Sequence, residues 1–248
     1  MKKSAPLHQN SKNNLEPSST GNFFSFRSFP GSAGVTTNSF GDWGRQNPNR
    51  QQLFERLMDL TSSNYFIKVT SRHQNKLVSI NNNCQNYIEA DATIYQPVAN
   101  FSPVIMFSTA DCPVVIIADQ QGTVVGIIRA SWREIEANLI VKVVNQLAVR
   151  FGLLPAGLRA WVWPGICPHC LPLSRELKSL FSRNIKNGKL DLKTLIITQL
   201  IKAGVSGENI ATTSLCSSHS RQGDKNLFYS KKRREDGTQN IVFVKIEP

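Results

Sequence analysis

Histidine, acidic side chains and long apolar runs are all scarce in this sequence, and each shortage excludes something. No stretch reaches the roughly 18 consecutive apolar residues of a membrane span, so neither a transmembrane protein nor a membrane partner is expected. The opening MKKSAPLHQNSKNN has two lysines but no apolar segment behind them, which argues against a secretory signal. Only 17 Asp and Glu stand against 29 Lys and Arg in 248 residues, a formal net charge of +12. Such a surplus favours anionic partners, among them nucleic acid and phosphorylated small molecules. The basic residues are scattered, however, except for KKRRED at 231–236, where an acidic pair partly offsets them. A solvated basic surface is the plainer reading, and nucleic-acid binding is not expected. Cysteine is present in an odd number: Cys84, Cys112, Cys167, Cys170 and Cys216. In a chain that is 40% hydrophobic and able to bury a core without cross-links, this points to a cytoplasmic protein with reduced thiols.

What is there is a patterned chain. Residues 1–22 are rich in Ser, Asn and Lys and are expected to form a disordered tail ahead of a single domain over 23–248. The segment FFSFRSFPGSAGVTTNSFGDWG (23–44) alternates aromatics with Gly and Ser, as in a short strand and a long ordered loop. Apolar spacing predicts a helix in NPNRQQLFERLMDL (47–60). From 65 to 130, YFIKVT, KLVSI, PVIMFS, PVVIIAD and TVVGIIRA predict strands, several of them apolar enough to be covered on both faces. WREIEANLIVKVVNQLAVRFG (132–152) predicts one helix ending at Gly152. A strand at LRAWVW, helices near 174–183 and 191–204, and strands at NIATTS, LFYS and NIVFVKI complete the pattern. There is no internal repeat. Strands clustered first and helices later argue for an α+β fold over regular βαβ alternation.

Several of these segments together resemble the signature region of the multicopper polyphenol oxidoreductase (laccase-domain) family. The matching elements are EADA (89–92), TADCPVVI (109–116) and SWRE (131–134), the last where the family usually shows AGWRG. WPGICPHC resembles the family's GPxIGPCCYEV, and LFYSKKRREDG its FFSYRRDG. The resemblance implies β-sheets sandwiched together with helices on the outside. It also implies purine nucleoside phosphorylase activity with purine nucleoside and phosphate as substrates, possible as a transferase reaction beside hydrolytic adenosine deamination. Some bacterial members are called peptidoglycan-editing factors. A zinc site of one Cys and two His belongs to the family pattern, and it carries over here to Cys112 of TADC and His73 of VTSRHQNK. Arg129 stands where the family has its second His.

Zinc is held by thiolate and neutral imidazole, and a catalytic ion keeps one position open. A guanidinium offers no lone pair, so Arg129 cannot complete that set. Three accounts of the site are open: another residue such as His169 or His219 completes it, Arg129 lowers the pKa of Cys112 and leaves a metal-free anion site, or the protein is a divergent member that has lost the reaction. Phosphate would be taken by Arg133, with Arg233 and Arg234 as further candidates, and Asp91 would orient a site residue or cap a turn. The alternatives to phosphorolysis are a non-catalytic family member binding a protein or anionic partner, and a metal-free cysteine hydrolase using Cys112 and His73. Phenol oxidation by several coppers is the least favoured reading, because three histidines outside the opening segment cannot supply the ligand sets. Finally, Cys167-Pro168-His169-Cys170 has the letters of a redox motif, but Pro172 follows closely. It reads as a bent loop with ordinary thiols, as a redox pair, or as a metal clip with Cys216 or His219.

Overall fold

The computed structural model describes residues 15–247, whose two large sheets pack face to face. A third, small sheet pairs Arg221–Gln222 with Lys225–Asn226. In spatial order the larger sheet holds Leu15–Pro17, Phe23–Phe26, Ser32–Thr36, Asn240–Lys245, Val104–Thr109, Phe66–Thr70 and Tyr87–Glu89. The second holds Ile210–Ala211, Arg159–Val162, Val114–Ala118, Val125–Arg129, Ala92–Tyr95 and Leu77–Ile80.

Alternate residues explain the layers. In the second sheet Val114, Ile116 and Ala118 face the first sheet, where Ile67, Val69, Ile105, Phe107, Val242 and Val244 meet them. The opposite face of the same strand, Val115 and Ile117, packs on Leu139, Ile140, Val143 and Leu147 of the helix Leu139–Phe151. All five residues of Val114–Ala118 are buried, as a strand covered on both faces requires. The outer face of the first sheet is covered by the helix Arg50–Leu60, through Leu53, Phe54 and Leu57 against Met106 and Phe243. Gly126 lets the helix Leu139–Phe151 approach closely, since an added Cβ would lie 2.7 Å from Val143 Cγ1. The expected α+β sandwich with outer helices is therefore what the chain forms. No helix among the described residues is long and apolar enough to cross a membrane.

Four expectations need correction. Within the segment 1–22 expected to be a tail, Leu15–Pro17 is an edge strand paired with Phe24–Phe26; residues 1–14 lie outside the described residues. The segment 23–44 holds two strands rather than one, Phe23–Phe26 and Ser32–Thr36. The helix expected over 132–152 is two helices, Trp132–Glu136 and Leu139–Phe151, broken by Asn138 in the left-handed conformation at φ 55°. Asparagine tolerates that conformation better than most residues. LFYS is not a strand, because the Asn240 amide takes the place of a partner strand: it accepts from Tyr229 N at 2.9 Å and donates to Tyr229 O at 2.8 Å.

Candidate functional site

The site is built on the end of the strand Val125–Arg129 and the turn after Phe66–Thr70. That turn, residues 71–76, wraps around the carboxylate of Asp91. Oδ1 accepts from Ser71 Oγ at 2.5 Å, Arg72 N at 3.1 Å and His73 N at 2.8 Å, and Oδ2 accepts from Gln74 N at 2.8 Å and Lys76 N at 3.0 Å. Burial by itself pushes the Asp91 carboxyl up, but the bonds from Ser71 and from the backbone of Lys76, His73 and Gln74 outweigh it and hold it below the usual carboxylate value. Asp91 is fully buried, and the hydrogen bonds its carboxylate accepts organise the turn. The turn in its turn sets His73 at φ 58°, with the ring directed at the helix start beginning with Trp132.

Around that ring runs a continuous chain of hydrogen bonds. Arg129 Nη1 donates to Ser71 Oγ at 3.0 Å and to His73 Nε2 at 3.2 Å. Because a guanidinium can only donate, His73 Nε2 is the acceptor and the proton lies on Nδ1. Nδ1 in turn faces Glu134 Oε1 at 2.9 Å, with Ser131 Oγ at 3.2 Å. Glu134 is fully buried, and its other oxygen accepts from Ser131 N at 3.0 Å and from the Ser131 hydroxyl. Ser131 and Glu134 form a capping box at the helix start, which is why a charged residue can sit there without solvent. A carboxylate, an imidazole and a cation in line are the arrangement of a metal-bound histidine with its outer partner. Here the cation is Arg129.

Zinc at Cys112 and His73 therefore does not fit the residues present. The imidazole nitrogen that would hold the ion already accepts from Arg129, and Arg129 has no lone pair to give. Cys112 is a poor thiolate as well: burial pushes its pKa up, the Arg129 charge pulls it down, and the Glu134 and Asp111 charges push it further up. Arg129 thus acts on Cys112 in the expected direction, but burial outweighs it and the thiol stays above its ordinary value. No hydrogen bond among the described residues joins the Cys112 sulfur to the His73 ring, whose two nitrogens face Glu134 and Arg129. His169 and His219 do not complete the set either; His219 belongs to another cluster.

None of Arg133, Arg233 and Arg234, the residues expected to take phosphate, lines the cleft beside Arg129. The Arg133 guanidinium lies 4.0 Å over the Trp132 ring, exposed and off the cleft. Arg233 is a brace, donating to the carbonyls of Ser217, Ser218 and Phe228 and pairing with Glu235 at 2.8 Å. Arg234 only ends a short helical turn, at φ 60°. Instead, a cleft of about 520 Å³ opens beside Arg129, walled by Arg45, Arg50, Lys68, Arg72, Ser108 and Tyr87 among others. Among the described residues, no carboxylate lines it. Arg72 is paired with Glu89 at 2.6 Å, whereas Arg45, Arg50, Lys68 and Arg129 have no salt-bridge partner among the described residues. The hydroxyl of Ser108 is buried there without a hydrogen-bond partner. Burial, then the charges of Arg50 and Arg45, bring the Lys68 pKa down to about 8. Periodicity could not have found this group, whose members come from two loops, a helix start and four strands.

The chain belongs to the multi-copper polyphenol oxidoreductase laccase family. Its family model matches residues 36–245. Among curated relatives, adenosine deaminase RL5 from an unknown prokaryotic organism is 28% identical over 143 residues, 52% of this chain and 53% of that protein. Purine nucleoside phosphorylase YlmD of Bacillus subtilis (strain 168) is 26% identical over 200 residues, 74% of this chain and 67% of that one. The chain thus spans about half to two thirds of the curated relatives it matches. The crystal structure of Bacillus licheniformis hypothetical protein YfiH superposes with a TM-score of 0.78 at 19% identity, covering 91% of this chain and 97% of that one. This laccase-family chain therefore carries the family's sandwich with an arginine at its centre.

Proposed function

We propose that this laccase-family chain is a purine nucleoside phosphorylase-type enzyme that holds phosphate in the cationic cleft, with the Arg129 guanidinium as the central cation of its site. The observation that carries this reading is the cleft itself, where Arg45, Arg50, Lys68 and Arg129 converge without a salt-bridge partner among the described residues. Phosphorolysis needs a bound anionic nucleophile: a phosphate oxygen forms a bond to the ribose anomeric carbon as the bond to the base breaks, giving ribose 1-phosphate and free base. Preorganised N–H donors hold such an anion and stabilise the charge that moves during the step. The half-exposed Tyr87 is the one aromatic side chain among the described lining residues, and a purine would pack on it. Deamination instead needs an activated water, and the ligand set that would activate it does not fit a metal here. Phosphorolysis is therefore favoured over deamination.

The test is release of adenine from adenosine, or hypoxanthine from inosine, with phosphate present and with chloride in its place. Base release that depends on phosphate and yields ribose 1-phosphate is the expected result. Replacing Arg50 or Lys68 by Met should raise the phosphate KM by about 10-fold or more, the worth of one hydrogen bond to a charged group. No phosphate-dependent release at high protein concentration would overturn the enzymatic reading. The second reading, a non-catalytic anion-binding member, is favoured by the engagement of both His73 ring nitrogens, and it predicts anion binding without turnover.

A pH dependence follows from Lys68. Sulfate keeps a constant charge between pH 6 and 10 (about that range, since Lys68 alone in the cleft titrates near its middle), so it reports on the protein. With a pKa of about 8, Lys68 is cationic below that value and neutral above it. Sulfate affinity measured by calorimetry should fall as pH rises through this window and flatten in Lys68→Met. Equal slopes in both proteins would exclude Lys68 from the anion site.

A further inference from the structure

Away from His73 and Arg129, two tight turns bring four metal-binding donors together. In the first, Cys170 N and Leu171 N both donate to Cys167 O at 3.0 Å, folding the C-x-x-C segment back on itself. In the second, Ser220 N donates to Cys216 O at 3.1 Å and Cys216 N to Ser220 Oγ at 2.8 Å, which turns the chain between Cys216 and His219. A bridge between Gly165 and Cys216, with Ser217 N donating to Gly165 O at 3.1 Å, locks the two turns side by side. As a result the donor atoms of Cys167, Cys170, Cys216 and His219 all lie within 4.8 Å of one another. His219 Nδ1 is 3.2 Å from Cys170 Sγ and 3.7 Å from Cys167 Sγ.

These separations suit a tetrahedral ion. With metal–sulfur bonds of about 2.3 Å and metal–nitrogen bonds of about 2.0 Å, neighbouring donors sit roughly 3.5–3.8 Å apart. The surroundings of Cys216 supply donors to its sulfur. Cys216 is fully buried, and its sulfur accepts backbone N–H bonds from Cys167 at 3.3 Å and Ser218 at 3.4 Å. The Lys193 ammonium lies close enough for its charge to act on Cys167 and Cys216. A redox pair would account for Cys167 and Cys170 alone; the convergence of Cys216 and His219 on them needs a different cause. All five cysteines are free thiols.

We propose that Cys167, Cys170, Cys216 and His219 form a closed zinc site with a structural role. Three thiolates and one imidazole select zinc over harder ions, and four protein ligands leave no position for substrate. Binding exchanges the thiol protons for the ion, releasing them to solvent. The site's place in the fold gives it a task. Ile166 N donates to Asp111 O at 2.7 Å and Ser217 Oγ to Asp111 Oδ1 at 2.7 Å. Both come from the clamped turns, and Asp111 sits at φ 79°, a backbone conformation that needs such support. Zinc would thus pin the turn that presents Cys112.

The test is elemental analysis of the full chain, expressed with zinc and purified without a metal-affinity step. About one zinc per chain is expected in the wild type and in the double variant Cys112→Ala, His73→Ala, as four ligands elsewhere would hold it. Cys170→Ser and His219→Ala should each lose most of it. Zinc that is absent from the wild type, or that leaves with Cys112 and His73 but survives Cys170→Ser, would overturn the proposal, as would a Cys167–Cys170 disulfide in the fresh protein. Should the ligand variants fail to fold, cobalt substitution of the wild type decides the matter. Intense visible bands with thiolate-to-cobalt charge transfer support the site, and the weak spectrum of octahedral cobalt refutes it. This outcome is independent of any phosphorolysis result.

Discussion

Asp91→Ala is expected to lower the unfolding free energy by about 3–5 kcal/mol, the cost of removing one partner from a buried charged cluster. The carboxylate it removes accepts one hydroxyl and four backbone N–H donors from the turn 71–76. Alanine leaves those N–H groups without a partner in a place where Asp91 itself is fully buried. For a chain of this size the loss corresponds to a melting temperature lower by roughly 10 °C, from about 2–4 °C per kcal/mol. Anion binding should fall with it, because Ser71 and His73 lose their fixed positions and both touch Arg129. The pH dependence has a definite sign. The folded Asp91 carboxyl lies below its ordinary value of 3.8, so its stabilisation is complete above that value and is lost as pH falls through the folded one. The gap between wild type and variant should therefore close on acidification below about pH 4. A melting temperature unchanged at neutral pH would show that the turn is held by something else.

Arg129→His is expected to create a second metal site. The change frees His73 Nε2, adds an imidazole near Cys112 and leaves Glu134 as the outer partner of His73. Zinc affinity there should rise by more than the roughly 10–100-fold that an outer partner alone is worth. Zinc in the variant should reach about two per chain, or about one when combined with Cys170→Ser, counted as one ion per complete ligand set. The metal-free variant should also be the less stable form, since it has lost the cation that faces buried Glu134 across the His73 ring, and added zinc should restore it. A variant that takes up no extra zinc would mean that Cys112 and His73 lie too far apart to share an ion.

Much of the layer order was readable from the sequence because apolar periodicity reports burial directly. Val114–Ala118 is apolar at every position and is covered on both faces. The helix break at Asn138 was not readable, because the apolar spacing runs across it and only the backbone conformation marks it. The candidate site was half readable. The motifs TADC and WR led to the right strand ends, yet Arg133 and Arg233 are held by Trp132 and by backbone carbonyls instead of facing the cleft. Ser131 and Glu134 looked like lost glycines, although S-x-x-E is a recognisable capping box and its glutamate is the partner of His73. Arg45, Arg50 and Lys68 share no sequence pattern, and only the fold assembles them.

The chain Asp91, Ser71, Arg129, His73, Glu134 has a consequence for how this sequence can change. It sets one guanidinium between two buried carboxylates, so its members are tied by strong epistasis. Glutamate at position 134 is tolerable only with a cation at 129 or an ion in its stead, and serine at 131 only adds to the glutamate's hold. A double-mutant cycle between Arg129 and Glu134 should show a coupling of about 1–3 kcal/mol despite the imidazole that separates them. Stepwise reversion to the family pattern must therefore pass through a stranded buried charge unless metal is present at the moment the arginine is lost.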